Sequence, residues 1–247
     1  GKDSISAISF ASKSIELIAV SYNSQKVQIV NFIENTLITE FQSPEVILNF
    51  GWGNNDTQVM CFTKFFYRYY LFDVFTGEKI KTSLGSFQNI RILAVSDPDN
   101  PTYFGGNNVG TLTWIRNTKC KSVEFPTKYK VVSVVIDPNS NYQCLVVWKY
   151  SWGIFDISAG ISLMHEVNDL NYSIASASWS CVPGQFITGD ESTGIIRIWN
   201  ASSISPLDVI SVYSCGIASI LDLKHDRILI CFEDGMIGVF DMRIRHF

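Results

Sequence analysis

The chain repeats itself about every 42 residues, and this period constrains the possible folds more than any other feature of the sequence. In each repeat an apolar residue ends the first short strand-like run, and the spacings are 42, 43, 41, 43 and 44: Phe10, Trp52, Val95, Ile136, Trp179 and Leu223. A polar residue at the end of the third run recurs in register with them: Asn31, Asp73, Arg116, Asp156, Asn200 and Asp241. Repeats of about 40 to 45 residues are typical of four-stranded β-sheet units. The period therefore predicts an all-β chain of six such units.

Within each unit the sequence has the character of short β-strands. Runs rich in Ile, Val, Phe, Tyr and Trp alternate with clusters of Gly, Asn, Asp, Ser and Pro, as expected for strands joined by turns. The fifth unit is the clearest, with strands predicted at 174–179, 185–188, 195–200 and 207–212 and a hairpin turn at 189–194. No segment carries a sustained helical stripe of apolar residues. We predict one domain over 1–247, a β-propeller of about six four-stranded blades, with blades at 4–43, 44–86, 87–126, 127–168, 169–213 and 214–247.

The strongest resemblance to a known family lies in the fifth unit. Its sequence TGDESTGIIRIWN, at 188–200, resembles the second strand, turn and third strand of WD repeats, and Trp199 and Asn200 stand in place of the Trp-Asp pair. The third strands of the other units carry looser copies: VQIVN, YLFD, LTWIR, GIFD and IGVFD. The resemblance covers nearly the whole chain. It implies the WD-repeat β-propeller fold and a platform for contacts between proteins.

The chain also departs from that family's pattern. WD repeats often carry a Gly-His pair before the first strand, and its histidine joins a hydrogen-bonded tetrad with the Asp and a Ser or Thr. The three histidines, His165, His225 and His246, lie elsewhere. We therefore expect the tetrads to be absent and the blades to be stabilised mainly by apolar packing between sheets.

The sixth unit differs from the first five, each of which continues past its polar residue into a fourth strand-like run. Only six residues follow Asp241, and residues 1–4 lead directly into the first strand at Ile5. Three explanations are open. The missing strand or a seventh blade lies in other parts of a longer protein; a six-bladed ring tolerates an incomplete last blade; or a partner donates strands, as in the open propellers of vesicle coats and the nuclear pore. An exposed sheet edge would favour such pairing.

The composition argues against several classes of function. The residues are 47% hydrophobic and 17% charged, which fits a large buried core. A net charge of −4 argues against the basic face of a nucleic-acid binder, and no apolar run approaches the ~18 residues of a membrane span. The six cysteines form neither a C-x-x-C pair nor a close Cys/His cluster. This pattern argues against zinc sites and disulfides, and it indicates a reducing compartment, the cytoplasm or the nucleus.

No set of catalytic residues stands out in the sequence. There is no G-x-S-x-G motif, and the segment 189–194 lacks the Lys-Ser/Thr of a phosphate-binding loop and precedes a strand. We interpret the acidic cluster at 97–101 as a surface turn rather than a calcium site. We therefore expect no enzymatic activity, cofactor, metal or small-molecule substrate. The alternative from another class is a hydrolase whose carboxylates gather around the central channel.

Aromatic and cationic side chains near two turns are the candidates for a protein contact. The runs FFYRYY at 65–70 and WKYSW at 148–152 place large rings beside cations between the second and third strands of their units. Such residues are enriched in binding hot spots, although strand alternation sends about half of these rings between the blades. The contact candidates are Tyr67, Arg68, Lys149, Tyr150 and Trp152. We predict a non-catalytic scaffold for protein–protein interaction within a larger assembly. The alternative is a structural propeller that accepts a strand or blade from a partner.

Overall fold

The structure is a computed structural model. It describes residues 3–11, 13–14, 16–63, 68–83, 92–96, 102–107, 109–116, 119–124, 129–140, 142–158, 161–223 and 225–246. Its regular elements in these ranges are β-strands, which confirms the predicted all-β class. Nowhere in these ranges does a helix occur with the length and apolar character needed to cross a membrane. The chain divides into two compact units, Gly1–Glu124 and Phe125–Phe247.

The first unit contains three antiparallel sheets, each made of four strands that follow one another along the chain. The first sheet comprises β1 (Ile5–Phe10), β2 (Leu17–Tyr22), β3 (Lys26–Asn31) and β4 (Thr36–Gln42). The second comprises β5 (Ile47–Gly53), β6 (Gln58–Thr63), β7 (Tyr69–Asp73) and β8 (Lys79–Ser83). The third comprises β9 (Ile92–Ser96), β10 (Thr102–Gly106), β11 (Leu112–Arg116) and β12 (Lys119–Val123).

The second unit also contains three antiparallel sheets. The fourth sheet comprises β13 (Val131–Ile136), β14 (Gln143–Trp148), β15 (Ser151–Asp156) and β16 (Ser162–Val167). The fifth comprises β17 (Ile174–Trp179), β18 (Gln185–Asp190), β19 (Ile195–Asn200) and β20 (Asp208–Ser211). Within the described residues the sixth sheet has three strands, β21 (Ile217–Asp222), β22 (Arg227–Phe232) and β23 (Ile237–Asp241). Each of the six sheets lies inside one of the ranges predicted for the blades.

The apolar cores lie between neighbouring sheets within each unit. In the first unit, Trp52 and Phe72 are buried where the first sheet meets the second, and Phe41 stacks on Phe72 with ring centroids 4.3 Å apart. In the second unit, Trp152 and Trp179 are buried between the fourth and fifth sheets. Isoleucines fill the space between the fifth and sixth sheets: Ile187, Ile196, Ile210, Ile217, Ile220, Ile228 and Ile230.

The repeated polar residue ends the third strand in all six sheets. In five of them it is Asp or Asn, and its side chain accepts a backbone N–H of the turn that follows. The Asp73 carboxylate oxygen Oδ1 accepts the backbone N–H groups of Phe75 and Thr76 at 2.9 and 2.8 Å. Asn31 and Asn200 accept equivalent N–H groups two residues further along the chain, at 3.1 and 2.9 Å. These are Asx turns, in which a short Asp or Asn side chain replaces a backbone acceptor. The recurrence of Asp and Asn at this position thus has a local structural cause.

The fifth sheet differs in two details from its sequence-based prediction. The second strand, β18, runs to Asp190, because Gly189 still pairs with Ile196 across the hairpin and with Ser176 on the other side. The hairpin turn is therefore 191–194 rather than 189–194. The fourth strand, β20, is Asp208–Ser211 and is therefore one residue shorter at each end than the predicted 207–212.

Candidate protein-contact surface

A two-residue turn joins β14 to β15 and carries two of the candidate residues, Lys149 and Tyr150. The pair Trp148 and Ser151 closes this turn. The Lys149 N–H donates to the carbonyl oxygen of Lys130 at 3.1 Å, and the Lys149 carbonyl accepts the N–H of Ile174 at 2.7 Å. These bonds tie the turn to the chain segments that lead into β13 and β17. The backbone of the turn is therefore fixed on both sides.

Side chains from three different loops meet at this turn. The ring of Tyr150 makes an edge contact with Tyr129, with centroids 5.2 Å apart, and Lys149 Nζ lies 5.8 Å from the centroid of the Tyr150 ring. Lys149 Nζ is 2.8 Å from Glu191 Oε2, which comes from the turn between β18 and β19. Tyr129 is 41% exposed. We refer to Tyr129, Lys149, Tyr150 and Glu191 together as the tyrosine–lysine surface.

The ion pair sets the electrostatics of this surface. The hydrogen bond and the charge of Glu191 raise the pKa of Lys149 above its usual value. The hydrogen bond from Lys149 is the main cause of a lowered pKa at Glu191, to which the charge of Lys130 also contributes. The two side chains are 37% and 44% exposed, so the pair contributes only up to about 1 kcal/mol to folding stability. A partner can therefore compete for either charge at little cost.

A buried polar cluster supports the neighbouring turn at 191–194. The Asp190 carboxylate is buried and accepts the N–H of Ser192 at 2.9 Å. Its other oxygen lies 3.5 Å from Nη1 of Arg197, whose guanidinium carbon lies 3.3 Å from the centroid of the Tyr172 ring. Burial raises the pKa of Tyr172 to about 12, so the phenol stays protonated at neutral pH. The cluster fixes the turn that presents Glu191.

The other contact candidates lie in different environments. Tyr67 lies outside the described residues. Arg68 is half-buried, and its carbonyl oxygen accepts the N–H of Thr63 at 3.1 Å. Trp152 is fully buried, with ring centroids 4.9 Å from Phe186 and 5.4 Å from Trp199. Its assignment to a contact surface is therefore wrong: strand alternation turns this ring into the core, and its role is packing.

Sequence reasoning missed Tyr129 and Glu191. Glu191 belongs to the fifth unit and Tyr129 to the segment before β13, so neither is close in sequence to the turn at Lys149. The hairpin turn predicted at 189–194 indicated an exposed acidic turn. The sequence carried no indication that this turn faces Lys149, because the contact depends on how two sheets pack side by side.

Two clefts in the second unit offer space for a ligand. One has a volume of about 390 Å³ and contains His165, Gln143 and Asn200 beside Met164. The other has a volume of about 250 Å³ and contains one carboxylate, Asp222, which accepts the backbone N–H of Cys181 at 2.5 Å. Among the described residues that line these clefts, neither set contains the two carboxylates that glycoside hydrolysis requires. Among the residues that the structure describes, no three His, Cys, Asp or Glu side chains are placed to hold a metal ion.

Comparison with known proteins shows the fold. No protein-family model matches the chain. The structure is similar to the crystal structure of the β-propeller domain of Cps50 (Swd1) from Myceliophteria thermophila, with a TM-score of 0.77 and 13% sequence identity. The match covers 95% of this chain and 82% of that chain. It confirms the predicted β-propeller and the WD-repeat resemblance of the fold.

Proposed function

We propose that the chain is a non-catalytic scaffold that binds a protein partner through the tyrosine–lysine surface, within a larger assembly. The observation that carries this proposal is the convergence of Tyr129, Lys149 and Tyr150 on a turn whose backbone is fixed by hydrogen bonds on both sides. Tyrosine is enriched at hot spots of protein interfaces. Its ring supplies a large contact area and loses little conformational entropy on binding.

The charges of this surface favour a partner with a carboxylate at the contact. Lys130 is exposed, and its charge lowers the pKa of Glu191, as that of Lys149 does. This part of the surface therefore carries two positive charges and one negative charge. The pair between Lys149 and Glu191 is solvent-exposed and contributes little to stability. A carboxylate of the partner would accept a hydrogen bond from Lys149 while its apolar groups pack on the two tyrosine rings.

The test is in-cell cross-linking of the full chain, compared between the wild type and the double variant Tyr129→Ala/Tyr150→Ala. We expect the amount of cross-linked partner to be at least tenfold lower with the double variant than with the wild type. Tyr142→Ala is the matched control, since Tyr142 is an exposed tyrosine in the connection between β13 and β14. Loss of the same partner to the same extent in Tyr142→Ala, or full retention in the double variant, would refute the proposal.

We further propose a cytoplasmic or nuclear location. The unbonded cysteines support this: Cys61 and Cys144 are buried within strands, and burial raises the pKa of both thiols. Cys181, Cys215 and Cys231 are also unbonded and only partly buried. Thiols of this kind persist in reducing compartments. Fractionation of cells that express the full-length protein tests the proposal, and recovery in a secretory compartment would contradict it.

A further inference from the structure

The cleft of about 390 Å³ lies where the fourth and fifth sheets of the second unit meet, and we refer to it as the inter-sheet cleft. The fourth sheet contributes Gln143 from the start of β14, Ile154 from β15 and Met164 from β16. The fifth sheet contributes Asn200 at the end of β19 and Gly184 in the turn before β18. Small-molecule sites have volumes of about 300 to 1,000 Å³. The cleft is therefore large enough for a small ring-shaped ligand.

The connection between β19 and β20 borders this cleft. It comprises 201–207, whereas the equivalent connection of the second sheet, between β7 and β8, is the shorter segment 74–78. The shorter connection packs closely on the first sheet, because a Cβ atom at Gly77 would lie 3.1 Å from Thr39 Oγ1 and 3.3 Å from Phe41 Cδ1. In the longer connection the corresponding residue, Ile204, is 76% exposed. The longer connection thus leaves a cleft at a place where its counterpart packs closely.

A hydrogen bond joins the two sides of the inter-sheet cleft. His165 Nε2, in β16, lies 3.3 Å from the carbonyl oxygen of Ser203, in the connection that follows β19. Because a carbonyl oxygen only accepts, Nε2 carries the hydrogen. The imidazole ring also packs against the buried ring of Trp152, with centroids 5.4 Å apart. The histidine is therefore held in place from two sides and forms a fixed wall of the cleft.

Two side-chain amides supply the cleft with groups that can bind a ligand. Asn200 Oδ1 accepts the N–H and the hydroxyl of Ser202 at 2.9 and 2.7 Å, which leaves its Nδ2 group as a donor. The amide of Gln143 makes no hydrogen bond to any residue that the structure describes. A side-chain amide holds a donor and an acceptor next to each other. The cleft therefore complements a ligand that also carries a donor beside an acceptor.

The rest of the lining favours a neutral and flat ligand. Among the described residues around the cleft there is no Asp, Glu, Lys or Arg, so a charged ligand would lose hydration without meeting an opposite charge. Ile154 is buried, and Met164 is 54% exposed. A methionine side chain adapts its shape to a ligand, and its sulfur makes favourable contacts with aromatic rings.

We propose that the inter-sheet cleft binds a small neutral molecule that carries a carboxamide group on an aromatic ring. The carboxamide N–H donates to the Gln143 side-chain oxygen, and the carboxamide oxygen accepts from the Asn200 Nδ2 group. The ring packs against Met164. The ligand is bound and released unchanged, so this site adds ligand binding to the scaffold function proposed above and does not depend on it.

The probe is nicotinamide, and the measurement is NMR of the full chain with ¹³C-labelled methionine methyl groups. The chain has four methionines: Met60, Met164, Met236 and Met242. We expect nicotinamide to shift the Met164 signal with a Kd of about 1 mM, as is usual for so small a ligand. Absence of a shift at Met164 up to about 10 mM nicotinamide, ten times that Kd, overturns the proposal.

Two further probes test the chemistry of the ligand at pH 8. Nicotinate has the same ring with a charged carboxylate, and we expect it to bind at least tenfold more weakly than nicotinamide. N-acetylglutamine methylamide carries the carboxamide on a flexible peptide side chain, and we expect the same loss. Equal binding of nicotinate overturns the neutral-ligand assignment. Equal or tighter binding of the glutamine derivative overturns the small-molecule assignment in favour of a peptide.

Variants of the full chain test the two amides. Gln143→Leu removes one amide, and Asn200→Asp removes the Nδ2 donor but keeps the oxygen that forms the Asx turn, as Asp73 does in the second sheet. We expect each to weaken nicotinamide binding at least tenfold. Gln58→Leu is the matched control, since Gln58 also begins the second strand of its sheet, and it should leave binding unchanged. Equal binding by Gln143→Leu and Gln58→Leu, or full retention in Asn200→Asp, contradicts the proposal.

Discussion

The indole nitrogen Nε1 of Trp179 donates a 2.9 Å hydrogen bond to the carbonyl oxygen of Val135, 44 residues earlier in the chain. Trp179 ends the first strand of the fifth sheet, and Val135 lies in the first strand of the fourth. The same offset recurs between the fifth and sixth sheets, where the N–H groups of Ile220 and Asp222 donate to the hydroxyls of Ser176 and Ser178, each at 3.2 Å. The first strands in the second unit are thus joined by polar contacts one repeat apart, in addition to their apolar packing.

Replacing Trp179 with Phe tests the value of this contact. The variant loses the indole N–H and leaves the Val135 carbonyl without that donor, so its free energy of unfolding should fall by about 1 kcal/mol beyond the packing loss. Trp152→Phe is the control, because the buried Trp152 indole N–H has no hydrogen-bond partner and the change in size is the same. Urea unfolding measures both variants. Equal losses of stability would show that the bond from Trp179 contributes nothing.

The sequence predicts the fold well where local chemistry repeats. All six polar residues assigned to the end of the third strand lie there. In five of the six sheets the residue is Asp or Asn, and its side chain forms the following Asx turn. Trp152 was misassigned because the sequence shows which residues lie near a turn and does not show which side of the sheet faces the core. The meeting of Lys149 with Glu191 depends on packing between sheets, which periodicity does not report.

Asp73 provides a test of the turn interpretation. Asp73→Ala removes the acceptor for the Phe75 and Thr76 N–H groups, and we expect a loss of about 1 kcal/mol in the free energy of unfolding. Asp73→Asn keeps an acceptor oxygen and should lose much less. Chemical denaturation at pH 7 measures both. Equal losses in the two variants would contradict a role for the side-chain oxygen.

Acidification should weaken the same turn. The backbone N–H of Thr76 is the main reason that the pKa of Asp73 lies below its usual value. A carboxyl whose pKa is lower in the folded state stabilises the fold above its unfolded pKa of about 4, and this contribution is lost as the pH falls through the folded value. The stability difference between the wild type and Asp73→Asn should therefore shrink as the pH is lowered from 5 towards 2. A difference that does not change with pH would exclude the ionised form as the acceptor.

The buried carboxylate of Asp190 makes Arg197 important for stability. Asp190 is 1% exposed, and Arg197 faces it at 3.5 Å while stacking on Tyr172. Removing one member of a buried ion pair leaves an uncompensated charge and costs about 3 to 5 kcal/mol. We expect Arg197→Met, which keeps much of the side-chain bulk, to lose stability in that range. In the double variant with Asp190→Asn the loss should be smaller than the sum of the two single losses. Thermal unfolding of the four proteins measures this coupling, and strict additivity would contradict it.

Gly189 lies where the fifth and sixth sheets approach each other closely. A Cβ atom at this position would lie 2.6 Å from Ile220 Cδ1 and 2.7 Å from Ile217 Cγ2, closer than carbon atoms pack. Gly189→Ala therefore forces two buried isoleucines to move and should destabilise the protein by about 1 to 3 kcal/mol. Combining it with Ile220→Val, which removes the Cδ1 methyl group, should recover part of that loss, although Ile220→Val alone destabilises the core. Urea unfolding measures the stability of the three variants. If the double variant is no more stable than the sum of the single effects predicts, the contact with Ile220 is not the cause.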